Sequence, residues 1–453
     1  LLDVAAGCFA IACGRGYHHR MGSSPDYLED YATTPVPEGK TYSGVRVGFV
    51  LGGIGIALPA LLSGAEVGRA LGYTDSLWAF LVAGVLVTAL AIISGYVGMR
   101  SRLSTYMILQ FSFGPIGARL VNLSFALAQF GWFGVNAYFF GTAAQSAASA
   151  ALAMPVDLST MIILGGVLMT LATLFGFKAL DKLAIVVFPI MLTTLMIMIA
   201  RTFSLAPMES LLAIPGTGEM SFMQAVTALS GGIIVGVLLI PDMTRYARGP
   251  LDVVVAVLIA LALIEPVVHL AASGAAIHLA AVDPLTIMLA LGFGAYALFF
   301  LIVTSVSTNA VNLYGAGLSM ASIFPTVKPW VFVLFTGVAG TALALANIAE
   351  IFIDFLVWQS VLFSSVLGIY VIDFFIVHQQ DYQVSSLSDV SPVRVNALAA
   401  WMIGALVAAL TYREVFMLTT MPNLDGVLVA GLIYFVLYRI GLSRRGASHA
   451  PRG

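Results

Sequence analysis

Three polar side chains lie at helical spacing inside the apolar stretch LAQFGWFGVN, residues 127–136. Gln129, Trp132 and Asn136 share one helix face, and because unpaired amides are costly in lipid, this face should point into the protein. An indole beside an amide can bind a flat heterocycle, because the indole ring stacks on the heterocycle and the amide forms hydrogen bonds with the edge of the heterocycle. For Gln129 and Trp132 the alternative is interhelical hydrogen bonding with tryptophan as core filler. Asn136 is interpreted as structural.

A second polar stripe, TSVSTNAVNLY, covers residues 304–314. Ser307 and Thr308 offer hydroxyl oxygens, and Asn309 and Asn312 offer amides. Hard oxygen ligands suit a hard monovalent cation when freed backbone carbonyls lie nearby. The alternative is that the hydroxyls bond back to carbonyls of their own helix. Because two hydroxyls and two amides exceed what packing requires, the stripe predicts a cation site.

An acid and an imidazole lie four residues apart in IEPVVH, where Glu265 and His269 can meet on one helix face. An acid inside a membrane is a functional hypothesis by default, and histidine titrates near neutrality, so the pair could carry a proton. The alternative is a structural polar contact beside the kink expected at Pro266.

The composition places these residues in a membrane. The 453-residue chain is 60% hydrophobic and 9% charged, with a mean hydropathy of +1.01, whereas soluble domains carry about 25% charged residues. The sequence has no basic patch of the density that phosphate binding needs, so nucleic acid is not expected as a partner. The sequence contains no P-loop, HExxH, GxSxG or metal-ligand cluster, which argues against an ATP-driven pump and against an enzyme, and no cofactor is expected. Both cysteines, Cys8 and Cys13, precede Met21.

Runs of about 20 apolar residues predict an all-α polytopic membrane protein with about twelve transmembrane helices. Their limits are 44–70, 77–98, 116–147, 158–176, 180–204, 222–243, 252–278, 286–320, 328–347, 350–378, 394–411 and 424–440. If the N-terminus is cytoplasmic, only Arg69, Arg201 and Arg413 among the lysines and arginines after Met21 fall outside. Both termini are therefore expected in the cytoplasm, and the chain in the inner (plasma) membrane.

Small residues interrupt the first and sixth spans, as GGIGIALP (52–59) and SGGIIVG (230–236). Interrupted segments at matching places in two repeated halves point to a transporter binding site, whereas the alternative is close helix packing. The predicted segments are an upstream or cloning remnant at 1–20, a cytoplasmic tail at 21–43, a first five-helix repeat at 44–204, a second, inverted repeat at 222–378, two additional helices at 394–440 and a cytoplasmic tail at 441–453.

Four stretches resemble the nucleobase–cation symporter family, the cytosine, purine, hydantoin and allantoin permeases. They are QFSFGPIGARLVNLSFALAQFGWFGVNAYFFG (110–141), DMTRYAR (242–248), STNAVNLYGAGL (307–318) and GIYVIDFF (368–375), and the resemblance runs from about residue 40 to 440. It implies a leucine-transporter-like fold with two inverted five-helix repeats, and a substrate held between the first, third, sixth and eighth spans.

The resemblance also implies roles for particular residues. The stacking indole of the family falls on Trp132 and its amide on Gln129. Its sodium site would use Ser307 and Thr308 with backbone carbonyls between Gly52 and Ile56. The amides of its eighth span fall near Asn309 and Asn312.

The sequence departs from the family at three places. Ile233, with Gly232 before it, stands where cytosine permeases and hydantoin transporters carry a second aromatic. Thr304 replaces an asparagine of cytosine permeases. Because an apolar side chain covers a base without stacking as a ring does, cytosine itself is in doubt. Glu265 stands where the family has a neutral amide, so a proton could replace or accompany sodium.

The sequence therefore predicts a symporter that imports a nucleobase or related small heterocycle, coupled to sodium by alternating access. The alternatives are coupling to a proton by Glu265 and His269, and a passive channel or facilitator. The expected partners are the heterocycle and the lipid bilayer, and the chain is expected to be a monomer.

Overall fold

The computed structural model describes residues 34–324 and 326–448, where the regular elements are helices. The predicted remnant at 1–20, residues 21–33 of the N-terminal tail and residues 449–453 of the C-terminal tail lie outside the described residues. The α-helices are α1 Gly44–Gly55, α2 Leu58–Leu71, α3 Tyr73–Ser101, α4 Thr105–Phe113, α5 Gly117–Leu152, α6 Leu158–Leu205, α7 Met208–Ala213, α8 Phe222–Leu239, α9 Pro241–Thr244, α10 Pro250–Val257, α11 Glu265–Leu279, α12 Pro284–Ala290, α13 Ala295–Ile323, α14 Pro329–Leu345, α15 Phe352–Ile372, α16 Val395–Tyr412 and α17 Pro422–Ser448.

The predicted all-α membrane architecture is confirmed. Seven helices of the described ranges are long and apolar enough to cross a membrane. The third and eighth predicted spans pack side by side as α5 and α13, and the first and seventh as α2 and α11. One apolar core joins α3, α4, α5, α8, α15, α16 and α17, and a second surrounds the start of α2. Helices α5 and α15 contribute to both cores, so polar residues on them lie deep in the molecule.

The fourth and fifth predicted spans correspond to two apolar stretches within α6. The apolar stretches Leu158–Leu174 and Pro189–Leu205 are two parts of α6, which has 48 residues. The count of twelve spans stays a prediction.

The break predicted in the first span is confirmed. Helix α1 ends at Gly55, and Ala57 is extended, with φ −129° and ψ 153°, before α2 begins at Leu58. Pro59 lies in the first turn of α2, where its missing N–H costs nothing. Backbone groups on both sides of Ile56 are therefore freed from the helix ladder at the depth of the span.

The break predicted at 230–236 in the sixth span is wrong. Helix α8 runs unbroken through SGGIIVG, and the chain leaves it only at Ile240, before α9. Gly231 lies directly against α15, where an added Cβ would overlap the carbonyl oxygen of Leu356. The Ser230 hydroxyl bonds back to the carbonyl of Val226. The small residues thus allow close helix packing, which is the alternative that the sequence left open.

A buried carboxylate ties the last helices together at the end of α15. Asp373 opens a π-helix, Asp373–Val377, and is 0% exposed. Its Oδ1 accepts hydrogen bonds from Arg394 Nη1 (2.9 Å) and the Tyr434 hydroxyl, and its Oδ2 from the Tyr382 hydroxyl (2.7 Å) and Ser112 Oγ (3.2 Å), with His378 Nδ1 at 3.2 Å. One charge therefore joins α4, α15, α16 and α17.

Candidate functional site

Trp132 lies on α5 and is held against α15. Its Nε1–H donates to Gln359 Oε1 at 3.0 Å. The indole meets Phe355 and Phe352 edge-on, with ring centroids 5.4 Å and 6.1 Å apart. These contacts fix the orientation of the ring at the depth where the sequence predicts a stacking platform.

Gln129, three residues earlier on α5, faces α13 instead. The side chain is 9% exposed, and an added Cβ on Gly315 would lie 2.9 Å from its Nε2. The missing side chain at Gly315 therefore leaves the space that the Gln129 amide fills. The structure places the two predicted substrate residues on one helix but against different neighbours.

Asn136 completes this face of α5 and carries a feature that the sequence interpretation missed. Its Nδ2 donates to the backbone carbonyl of Trp132 at 2.8 Å, while its Oδ1 is buried and has no hydrogen-bond partner within the described part of the chain. The nitrogen of this amide therefore has a structural partner, while its oxygen is available to accept a hydrogen bond.

Three hydroxyls of the polar stripe on α13 are not bonded back to their own helix, unlike those of Thr170 and Thr336. Thr170 and Thr336 donate to the carbonyl four residues earlier, each at 2.7 Å, as is usual in membrane helices. In contrast, the hydroxyl oxygens of Thr304, Ser305 and Ser307 are buried without a partner among the residues that the structure describes. Thr308, the other predicted cation ligand, is partly buried.

The two amides of the same stripe are already engaged. Asn309 is fully buried, and its Nδ2 donates to the Phe133 carbonyl (3.2 Å) and to Met169 Sδ (2.9 Å). Its Oδ1 accepts from Asn312 Nδ2 at 3.1 Å. These bonds join α13 to α5 and α6, so in this conformation Asn309 holds helices together. Its assignment to substrate stays a prediction, as does that of Asn312.

The predicted cation residues of the first span lie beside the helix break. Ile56 is 2% exposed, and Gly52 packs against Ile264, whose side chain an added Cβ would overlap. Helix α2, which begins just after the break, contacts both α5 and α13. The break therefore belongs to the same region as Trp132 and the stripe of unpartnered hydroxyls.

Glu265 and His269 form a separate pair. His269 Nε2 lies 3.7 Å from Glu265 Oε1, and the imidazole stacks on Phe80 with centroids 5.2 Å apart. An added Cβ on Gly55 would lie 2.7 Å from Glu265 Oε2, so the carboxyl group touches the end of α1. Ile233 lines a small cavity with this pair, which brings one predicted substrate residue to the acid. Gly232 faces the Leu356 side chain of α15.

Solved structures with this fold are transporters. Mhp1, a nucleobase-cation-symport-1 family transporter, matches with a TM-score of 0.77 and 16% identity in a closed conformation with bromovinylhydantoin bound, over 91% of this chain and 95% of that one. Its inward-facing conformation gives 0.80 and 16%, over 93% and 96%. A Na+-coupled sialic acid symporter, in a substrate-bound outward-open state, gives 0.65 and 10%, over 97% and 96%. These matches show that the chain has a leucine-transporter-like fold, and the broken first span and the buried polar groups lie inside it.

The sequence comparison gives the particular family. Residues 35–436 match the model of the permeases for cytosine/purines, uracil, thiamine and allantoin, and the chain belongs to that family. The cytosine permease of Escherichia coli K12 is 25% identical over 377 residues, which are 83% of this chain and 88% of the relative. That of Escherichia coli O157:H7 is also 25% identical over 377 residues, with the same coverage. The resemblance seen in the sequence motifs is confirmed, and the family membership makes this chain a permease, not an enzyme.

Proposed function

We propose that this permease is a secondary active symporter that imports a nucleobase or related small heterocycle by alternating access, driven by sodium. The proposed substrate class comprises cytosine, purines and allantoin, which the family membership supports, and hydantoins, by analogy with the bromovinylhydantoin bound to Mhp1. The observation that supports this proposal most directly is the set of buried polar atoms on α5 and α13 that have no hydrogen-bond partner in the described structure. Each such atom costs roughly 1–3 kcal/mol when it stays unpaired, so a polar molecule that pairs with them recovers that free energy on binding.

The heterocycle lies beside Trp132 in this proposal. The indole supplies the stacking surface, and Gln129 reads one edge of the ring. The buried Oδ1 of Asn136 accepts from an N–H of the substrate, because it has no acceptor role elsewhere in the described structure. Thr304 Oγ1, which is also unpartnered, offers a further polar contact from α13.

Sodium binds between the α1–α2 break and α13. Ser307 supplies a hydroxyl oxygen that is not used by its own helix, and Thr308 follows it. Backbone carbonyls near Ile56 supply the remaining oxygens, because residues at the break have left the helix ladder. These are ligands of the type that a small hard cation takes.

Proton coupling is the second candidate, and one observation favours it. The Glu265 carboxyl group touches Gly55, directly before the α1–α2 break. An acid at this place can load and release a proton as the broken span moves, with His269 as its neighbour. Sodium and proton coupling differ in which variant removes the ion dependence, so one set of measurements separates them.

The test uses purified protein in liposomes, with binding and uptake of labelled heterocycles measured across sodium concentration and pH. Trp132→Ala should weaken binding roughly 5- to 150-fold, the equivalent of the 1–3 kcal/mol of base stacking. Ser307→Ala with Thr308→Ala should abolish the stimulation of substrate binding by sodium, because coupling between two sites is reciprocal. Thr336→Ala, which removes a hydroxyl that bonds back to Phe332, is the matched control and should keep the stimulation.

Uptake against a gradient separates a symporter from a passive channel or facilitator. A sodium gradient should drive accumulation, and an ionophore that collapses this gradient should abolish it. Wild-type protein that binds no member of the substrate class, or that binds it independently of both sodium and pH, contradicts the proposal.

A further inference from the structure

Gln359 on α15 was not singled out by any sequence motif, yet it lies in direct contact with the proposed stacking residue. Its side chain is 3% exposed, and its Oε1 accepts the Nε1–H of Trp132 at 3.0 Å. An indole nitrogen only donates, so the amide atom that faces it must be the oxygen. The hydrogen bond therefore fixes which way the Gln359 amide is turned.

The other end of this amide has nothing to bind. Nε2 of Gln359 is buried and finds no acceptor anywhere in residues 34–324 and 326–448. The group carries two N–H donors, and rotation of the amide cannot rescue them, because it would place the NH2 group against the donating indole. A buried donor that is fixed and unpaired costs roughly 1–3 kcal/mol.

The next residue on α15 adds a second unpaired group. Ser360 is fully buried, and its Oγ has no partner in the described structure. Its Cβ lies 3.1 Å from the place where Gly231 of α8 would carry a Cβ. Consecutive residues of α15 thus present a donor and a hydroxyl beside Trp132 and toward α8, on a helix outside the four spans from which the sequence predicts the substrate site.

We propose that Gln359 is a specificity-determining residue, whose Nε2–H donates to a ring carbonyl oxygen of the heterocycle stacked at Trp132. This inference rests on the proposed function and deepens it. A neutral amide that can only donate on its free side favours an oxo group over an amino group at that edge of the ring. An amino group there would place two donors together, and both would stay unpaired.

The experiment compares hypoxanthine with adenine, which carry an oxo and an amino group at the same ring position. Gln359→Glu keeps an oxygen to accept the Trp132 indole but removes the NH2 donor. The ratio of the adenine to the hypoxanthine dissociation constant should therefore fall by about tenfold relative to wild type, the value of one neutral hydrogen bond. Gln359→Met removes the donor without adding charge. The loss of the indole partner weakens both ligands alike and cancels in the ratio of the two dissociation constants. The ratio should therefore still fall, because the donor is gone.

A matched control is Gln145→Leu, which removes a partly buried hydrogen bond from the Gln145 side chain, near the C-terminal end of α5, to the Val156 carbonyl. Its ratio should stay at the wild-type value.

If Gln359 merely positions Trp132, Gln359→Glu will bind both purines with the wild-type ratio, and the inference is overturned while the proposed function stands. If wild type binds neither purine nor cytosine, uracil, allantoin or hydantoin, the proposed function fails, and the inference fails with it. Thermal melting of each variant confirms folding, and Gln359→Met decides the question if Gln359→Glu does not fold.

Discussion

Replacing Asp373 by asparagine should strongly destabilise the protein, although it changes only one non-hydrogen atom. The carboxylate accepts hydrogen bonds on both oxygens, from Arg394 and Tyr434 on one and from Tyr382 and Ser112 on the other. The substitution turns one of these oxygens into an NH2 group, which cannot accept. In either orientation of the new amide two donors lose their acceptor, and the guanidinium loses its counter-charge.

The magnitude follows from burial. Removing one partner of a buried ion pair costs about 3–5 kcal/mol, because the remaining charge is left uncompensated. Asp373 is 0% exposed, but the Arg394 side chain is 19% exposed and recovers part of its hydration. The lower end of the range, about 3 kcal/mol, is therefore expected for Asp373→Asn.

The assay is thermal unfolding of the purified protein in detergent, followed by intrinsic fluorescence. Asp381→Asn is the matched control, because Asp381 is exposed and bonds only the Gln383 side chain among its described side-chain contacts. That change should stay within about 0.5 kcal/mol. The double variant of Asp373→Asn with Arg394→Met should be less destabilised than the sum of the single changes, because the two residues are paired. Equal melting of Asp373→Asn and Asp381→Asn would refute the argument.

Three further predictions concern packing, coupling and topology. Gly231→Ala should destabilise by roughly 1–3 kcal/mol because its Cβ overlaps the Leu356 carbonyl, whereas Gly236→Ala, with no atom within 4 Å of its Cβ, should be neutral or slightly stabilising in the same melting assay. Glu265→Gln should keep sodium-stimulated uptake and the wild-type pH profile, and a wild-type uptake that falls with rising external pH and flattens in this variant would assign coupling to the proton. Reporter fusions should place both termini in the cytoplasm, and a periplasmic C-terminus would contradict the charge argument.

The sequence predicted the helical membrane fold, the first break and the polar face of α5, because these follow from local composition and spacing. The break predicted at 230–236 was wrong, because a glycine cluster can either interrupt a helix or let two helices pack closely. Only the contact of Gly231 with Leu356, far away in sequence, distinguishes the two outcomes. Gln359 was missed because its importance depends on Trp132, another distant residue. An amide inside an apolar span was nevertheless a visible signal, of the kind that drew attention to Gln129.

The junction at Asp373 also has a consequence for how the chain is made. During translation Ser112 is synthesised well before Asp373, whereas Arg394 and Tyr434 follow Asp373 by 21 and 61 residues. When α15 first enters the membrane, its terminal carboxylate therefore lacks the cation and one of the hydroxyls that later hold it. The two additional helices, α16 and α17, bring these groups last, so the nascent protein reaches its final stability only when its C-terminal helix has been inserted.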